Sequence, residues 1–268
     1  MKNQVDTTKS IPLVAPKAKK TLTLTLTVVI GLYIMAALRT SANPIRILEG
    51  LPHIFSFVFD DLIPPNWGYY NRVFERLLET WNIAFLSTTL AAIFCLPFTF
   101  LAASNINQNK YLYYSVRLLL NILRTIPDMI YAVVFVAILG LGPLAGVMAL
   151  FMFSFGILVK LMSEIVEVID KGPLEAIRAT GGNVFQVIWY GAIPQILPQF
   201  VSSTLYVLEI NIRASLILGY VGAGGIGVVL RRQLALFNYE NVSMILFITL
   251  IAVVTIDFIS YQIRKRLV

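Results

Sequence analysis

The chain has little of what a water-facing surface or a catalytic centre needs. Charged residues fill 13% of its 268 positions and hydrophobic residues 58%, too few charges to clothe a soluble domain. One cysteine, Cys95, and one histidine, His53, exclude an internal disulfide and a His/Cys metal cluster within one chain. Cys95 lies in an apolar run and reads as a packing residue. The sequence contains no G-x-S-x-G, no H-E-x-x-H and no G-x-x-x-x-G-K-[ST]. Enzymatic acid–base work would rest on carboxylates alone, and no phosphate-cradling nucleotide loop is present. Basic residues gather at the ends of apolar segments instead of forming a stripe, which argues against nucleic acid as a partner. No internal repeat or low-complexity tract stands out.

Long apolar runs take the place of charge. A helix needs about 20 mostly apolar residues to cross a bilayer. Thr21–Leu38, Ile83–Ala103, Leu118–Leu139, Leu144–Met162, Ile196–Leu218 and Val242–Ile263 all qualify. These imply an all-α integral membrane protein with about six transmembrane helices, its partner surface being membrane lipid. The first run follows Lys17, Lys19 and Lys20 but lacks a small-residue cleavage site, so it is expected to be a retained helix. With the amino terminus inside, inner segments hold roughly twice the Lys and Arg of outer ones, which places both termini in the cytoplasm. The expected organisation is a cytoplasmic tail over 1–20 and a first transmembrane helix over 21–40. An extracytoplasmic loop follows over 41–80, then a transmembrane core over 81–268 with a cytoplasmic loop at 170–194. Within 41–80, Ile63-Pro64-Pro65-Asn66-Trp67 forms a rigid turn, and Tyr70–Trp81 has the spacing of an interfacial helix.

The cytoplasmic loop is the most structured polar segment. Pro173 suits the first turn of a helix and Gly181 its stop, enclosing about eight residues. Asn183 with Gln186 is a capping pair that opens a second short helix toward Gly191. Helices this short are marginal alone, so they need a surface to lie against. Leu174, Ile177, Val184, Val187 and Ile188 are expected to form the apolar side.

Charges inside the spans are costly. Arg124 and Asp128 are four apart in the third span, with Pro127 between them able to bend the helix. Glu209 and Arg213 are four apart in the fifth, in the favourable acid-first order. Each pair either neutralises itself or leaves an arginine partly free to attract an anion in a central cavity. Gly222-Ala223-Gly224-Gly225-Ile226-Gly227 formally contains G-x-G-x-x-G, with Glu240 downstream. That motif signals a dinucleotide only inside a βαβ unit, which a loop after a spanning helix is not. A tight turn, a re-entrant bend or an oxyanion cradle backed by Arg231 and Arg232 are the alternatives.

Glu175-Ala176, Gly181 and Pro194 resemble the signature loop of ABC-importer permeases, with Ile177 departing from the commoner alanine. Ile63-Pro64-Pro65-Asn66-Trp67, Glu79-Thr80, Arg124-Thr125-Ile126-Pro127-Asp128, Gly140-Leu141-Gly142-Pro143, Glu209–Ala214 and Gly219–Gly227 extend the likeness to permeases of the phosphonate type, from about residue 50 onward. The resemblance implies an ABC type I importer permease fold, functional as a dimer of two copies of this chain. It also implies a cytoplasmic ABC ATPase dimer carrying ATP and Mg²⁺, no cofactor on this chain, and an extracytoplasmic solute-binding protein. Glu175, Ala176, Gly181 and Pro194 would couple to the ATPase. Arg124, Asp128, Glu209, Arg213, Gly222, Gly224 and Gly225 are the substrate-pathway candidates. The substrate implied is a phosphonate or related phosphorus oxyanion, carried across a bacterial inner membrane. An ion-coupled secondary transporter of a small anion is the alternative.

Overall fold

A computed structural model describes residues 16–40 and 44–267; most of the expected 1–20 tail lies outside the described residues. The chain forms two compact units, one ending at Asp60 and one beginning at Asp61. In the first, α1 spans Pro16–Arg39 and α2 spans Pro44–Ser56. The hydroxyls of Thr23, Thr25 and Thr27 each donate to the carbonyl four residues back at 2.9 Å. Their polarity is thereby absorbed inside the helix, as a lipid-facing segment requires.

The second unit is a helical bundle, and among its described residues no strand occurs. Its first helix, α3, runs unbroken through Tyr70–Ala102, 33 residues, or about 50 Å. The expected interfacial helix at Tyr70–Trp81 is therefore the first three turns of the second span. No glycine or proline interrupts the chain there, so nothing separates the two. Ala84, Ser87, Ala91 and Cys95 are all fully buried and lie along one stripe of α3. Small residues in such a stripe let helices approach closely where lipid supplies no hydrophobic drive.

The expected third span is two helices, α4 (Lys110–Thr125) and α5 (Asp128–Leu139), bent by 88°. Pro127 cannot donate a backbone bond and forces Ile126 into extended geometry (φ −81, ψ 119), as residues before proline prefer. The described residues thus hold five helices long and apolar enough to cross a membrane, or six if this bent pair counts as one. Next come α6 (Pro143–Val168), α7 (Lys171–Ala179), the single turn α8 (Val184–Gln186) and α9 (Ile193–Leu218). Helices α10 (Ile226–Ala235) and α11 (Tyr239–Leu267) close the bundle.

A buried polar tie joins three of the long helices. Asn211 on α9 donates to Thr88 on α3 at 2.8 Å and to Ser154 on α6 at 2.7 Å. Ser154 donates back to the Asn211 carbonyl oxygen at 2.9 Å. All three side chains are buried, and every donor finds an acceptor, which is what lets a polar cluster sit in a membrane core.

Candidate functional site

The loop between α6 and α9 is a knuckle whose turns are closed by their own residues. Asp170 caps α7 by accepting from the Gly172 amide at 2.9 Å. At the other end Gly181 (φ +85) lets its amide reach the Arg178 carbonyl at 3.0 Å and the Gly182 amide reach Ile177 at 2.9 Å. This is the Schellman closure that a left-handed residue permits. Asn183 and Gln186 then make the reciprocal capping box, at 2.8 and 2.9 Å.

The second helix of the loop does not stop at Gly191. After α8 the chain passes through a wide π-turn, Val187–Ala192, straight into α9, so the fifth span starts well before Ile196. Pro194 explains the wide turn: it has no amide, and its ring would crowd the carbonyl four residues back in a regular helix. The Ile193 amide instead reaches the Ile188 carbonyl, five residues back.

Leu174 and Val187 are buried and seat the knuckle on the bundle, with Ile177 and Ile188 half-buried. Val184, against the expectation that it joins that side, is exposed, as is Phe185 beside it. Arg178 donates to the Asn105 carbonyl at 3.1 Å, tying α7 to the α3–α4 loop. Gln195 of α9 accepts from the Asp170 amide at 3.1 Å. Glu167 at the end of α6 accepts from the Ser104 amide at 2.9 Å and from Arg117 at 2.7 Å. The knuckle is thus tied to the α3–α4 loop and to α9, and the end of α6 that leads into it is tied to α4 and the same loop. Glu175 and Ala176 face outward, and Glu175 has no hydrogen bond or ion pair among the described residues.

The glycine loop lies at the opposite end of α9. Gly222, Gly224 and Gly225 all have positive φ, between +75 and +89. Gly227 packs against the Leu216 carbonyl so closely that a Cβ would overlap it, which folds α10 back on α9. The loop's amides are mostly spoken for within the chain. Gly225 donates to Glu79 at 3.1 Å and Ile226 to the Thr80 hydroxyl at 2.8 Å. Glu79 and Thr80 stand on α3, and Glu79 also pairs with Arg76 at 2.5 Å. Beside the loop is a cavity of about 420 Å³ lined by Arg76, Glu79, Gly222, Gly224, Arg231 and Arg232, among others.

The intramembrane charges separate into two cases. Glu209 and Arg213 pair as expected, but Glu209 also accepts from Arg264 of α11 at 2.9 Å. The carboxylate thus bridges two helices. Arg124 and Asp128 do not pair: they stand on either side of the 88° bend, and no ion pair among the described residues joins them. Asp128 opens α5 and accepts from the Met129 amide at 2.8 Å, while Arg124 is exposed on the surface of this single chain. Two polar centres escaped the reading of the sequence. One is the Thr88–Ser154–Asn211 tie. The other is buried Gln233, which donates to the Tyr69 hydroxyl at 2.9 Å and accepts from Asn238 and Asn241 at 3.1 Å. Thr88 and Asn211 lie 123 residues apart and Tyr69 and Gln233 lie 164 apart, and pairings so distant carry no local signal.

Long apolar helices that carry a capped knuckle at one end and a glycine loop at the other define the membrane domain of a transporter. Residues 95–268 match the family of the binding-protein-dependent transport system inner membrane component, and the chain belongs to that family. It is the multi-pass inner-membrane permease subunit of an ABC importer, and ATP hydrolysis in such systems falls to a separate ATPase subunit. Among relatives, it is 37% identical over 220 residues to the phosphite transport system permease protein PtxC of Stutzerimonas stutzeri, covering 82% of this chain and 80% of that protein. It is 35% identical over 243 residues to the phosphate-import permease protein PhnE of Mycolicibacterium smegmatis, covering 90% of this chain and 45% of that longer protein. A chain of the inward-facing MetNI methionine ABC transporter superposes with a TM-score of 0.66 at 25% identity, over 73% of this chain and 96% of that one.

Proposed function

We propose that this chain imports a phosphorus oxyanion (a phosphonate, phosphite or phosphate) by ATP-driven alternating access. It works as a homodimer with two cytoplasmic ABC ATPases, which carry the ATP and Mg²⁺, and with an extracytoplasmic solute-binding protein. Both termini lie in the cytoplasm, which puts the α7–α8 knuckle within reach of the ATPases and the glycine loop on the outer side. The observation that carries this reading is the knuckle itself: internally capped, set between α6 and α9, tied to the α3–α4 loop, and presenting exposed Glu175, Val184 and Phe185. A soluble partner can grip such an element and move those helices as rigid bodies. The relatives named for phosphite and phosphate support the substrate class. Glu175, Ala176, Gly181 and Pro194 serve coupling. Arg124, Asp128, Glu209, Arg213 and the glycines at 222, 224 and 225 belong to the pathway.

The test is reconstitution with the cognate ATPase and binding protein in liposomes. Uptake of methylphosphonate, phosphite or phosphate should require ATP and the binding protein. Uptake driven by an ion gradient with no ATPase present would establish the secondary-transporter alternative instead.

A further inference from the structure

The cavity beside the glycine loop holds more cationic capacity than the fold uses. Three guanidinium groups, Arg76, Arg231 and Arg232, line it against one carboxylate, Glu79. Arg231 is partly engaged, donating to the Tyr220 carbonyl at 2.7 Å. The Arg232 guanidinium has no hydrogen bond or ion pair among the described residues. The loop's amides tell the same story. Gly222, Ala223, Gly225 and Ile226 all donate to partners, whereas the amide of Gly224, a buried residue that lines the cavity, has none among the described residues. A free amide and an unspent guanidinium around a pocket of about 420 Å³ suit a small, multiply charged oxyanion, because such donors converge on oxygen atoms spread in three dimensions.

We infer that this cavity is an anion-binding site for the phosphorus oxyanion on its way into the permease, separate from any site near Arg124 or Arg213. The inference rests on the substrate class and orientation given above. Arg232 and the Gly224 amide supply direct contacts. Glu79 acts as an internal competitor: its carboxylate already holds Arg76 at 2.5 Å and the Gly225 amide at 3.1 Å. An arriving oxyanion shares Arg76 with Glu79 and loosens the bond that ties the loop to α3. This gives the site a consequence for the loop, beyond capture.

The competitor makes the test directional. The permease–ATPase complex, in nanodiscs and without binding protein, is titrated with phosphite, phosphate and methylphosphonate while phosphorus NMR linewidths are read. Saturable broadening is expected in the unaltered complex. Arg232→Gln should weaken binding about tenfold, the scale of one charge-assisted contact, and Glu79→Gln should tighten it. A general loss of structure would weaken both variants, so opposite shifts support the site; where Glu79→Gln fails to assemble, Arg232→Gln decides alone. No binding in the unaltered complex, or binding indifferent to Arg232→Gln, overturns the inference. So does an Arg232→Gln effect confined to the concentration of binding protein needed for half-maximal ATP hydrolysis, which makes the patch a protein-docking surface. The proposed function fails separately, when the complete system carries none of the three anions; full transport with an indifferent Arg232→Gln removes only this site.

Discussion

Gly181→Ala isolates the contribution of one backbone angle to the proposed coupling. Gly181 has φ +85 and nothing lies within 4 Å of where a Cβ would go. The substitution therefore introduces no collision, and its whole effect is conformational. A non-glycine residue in left-handed geometry costs about 1–2 kcal/mol, partly offset because alanine also restricts the unfolded chain. A net of about 1 kcal/mol shifts a local folding equilibrium roughly fivefold. The equilibrium concerned is the end of α7, nine residues long and closed by the Arg178 and Ile177 carbonyls. Asparagine tolerates that geometry better, so Gly181→Asn should lie between the native chain and alanine. Gly182→Ala should be worse than either, since its Cβ would sit 2.7 Å from the Ile177 carbonyl oxygen. Amide hydrogen exchange across residues 171–186 reads the opening, and binding-protein-stimulated ATP hydrolysis in proteoliposomes reads coupling. If Gly181→Ala leaves exchange unchanged, the conformational reasoning is refuted. If exchange rises and stimulated hydrolysis does not fall, the closed cap is irrelevant to force transfer.

Asn211→Leu should lower the melting temperature of the purified protein, because the buried hydroxyls of Thr88 and Ser154 lose their partner at a cost of about 1–3 kcal/mol. Adding Thr88→Val and Ser154→Ala should recover much of that loss; a triple variant no better than the single one would refute the account. Arg264→Met should also destabilise, because Glu209 then keeps only Arg213 in a half-dry setting. Adding Glu209→Gln should restore stability in part, and strict additivity of the two changes would show that the residues are uncoupled.

The sequence announces those features whose causes are local. Apolar runs mark the spans because each must bury its backbone bonds within itself. Gly181 and the Asn183–Gln186 pair mark the knuckle because caps act over three or four residues. Pro127 shows the bend in the third span but not its size, which depends on what α5 packs against. For the same reason the Arg124–Asp128 spacing misleads: four residues mean one face only while the helix continues. Val184 is apolar yet exposed, and composition alone does not tell a covered apolar face from an open one. Glu209's second partner lies 55 residues away, and Asn211's lie 57 and 123 away. Such pairings exist only once the helices are assembled. Glu79, which fastens the glycine loop, reads in isolation as one more charge on an interfacial helix.

One rod, α9, begins at the knuckle and ends at the glycine loop, 26 residues later, or about 39 Å. Tilting a stiff rod of that length by about 10° around its middle displaces each tip by about 3 Å. A shift of that size is longer than any tolerance a hydrogen bond allows. On the alternating-access reading proposed above, such a tilt would be enough to break the clasp between Glu79 and the Gly225 amide. Under that proposal, nucleotide chemistry at one tip and solute admission at the other would be two readings of a single lever.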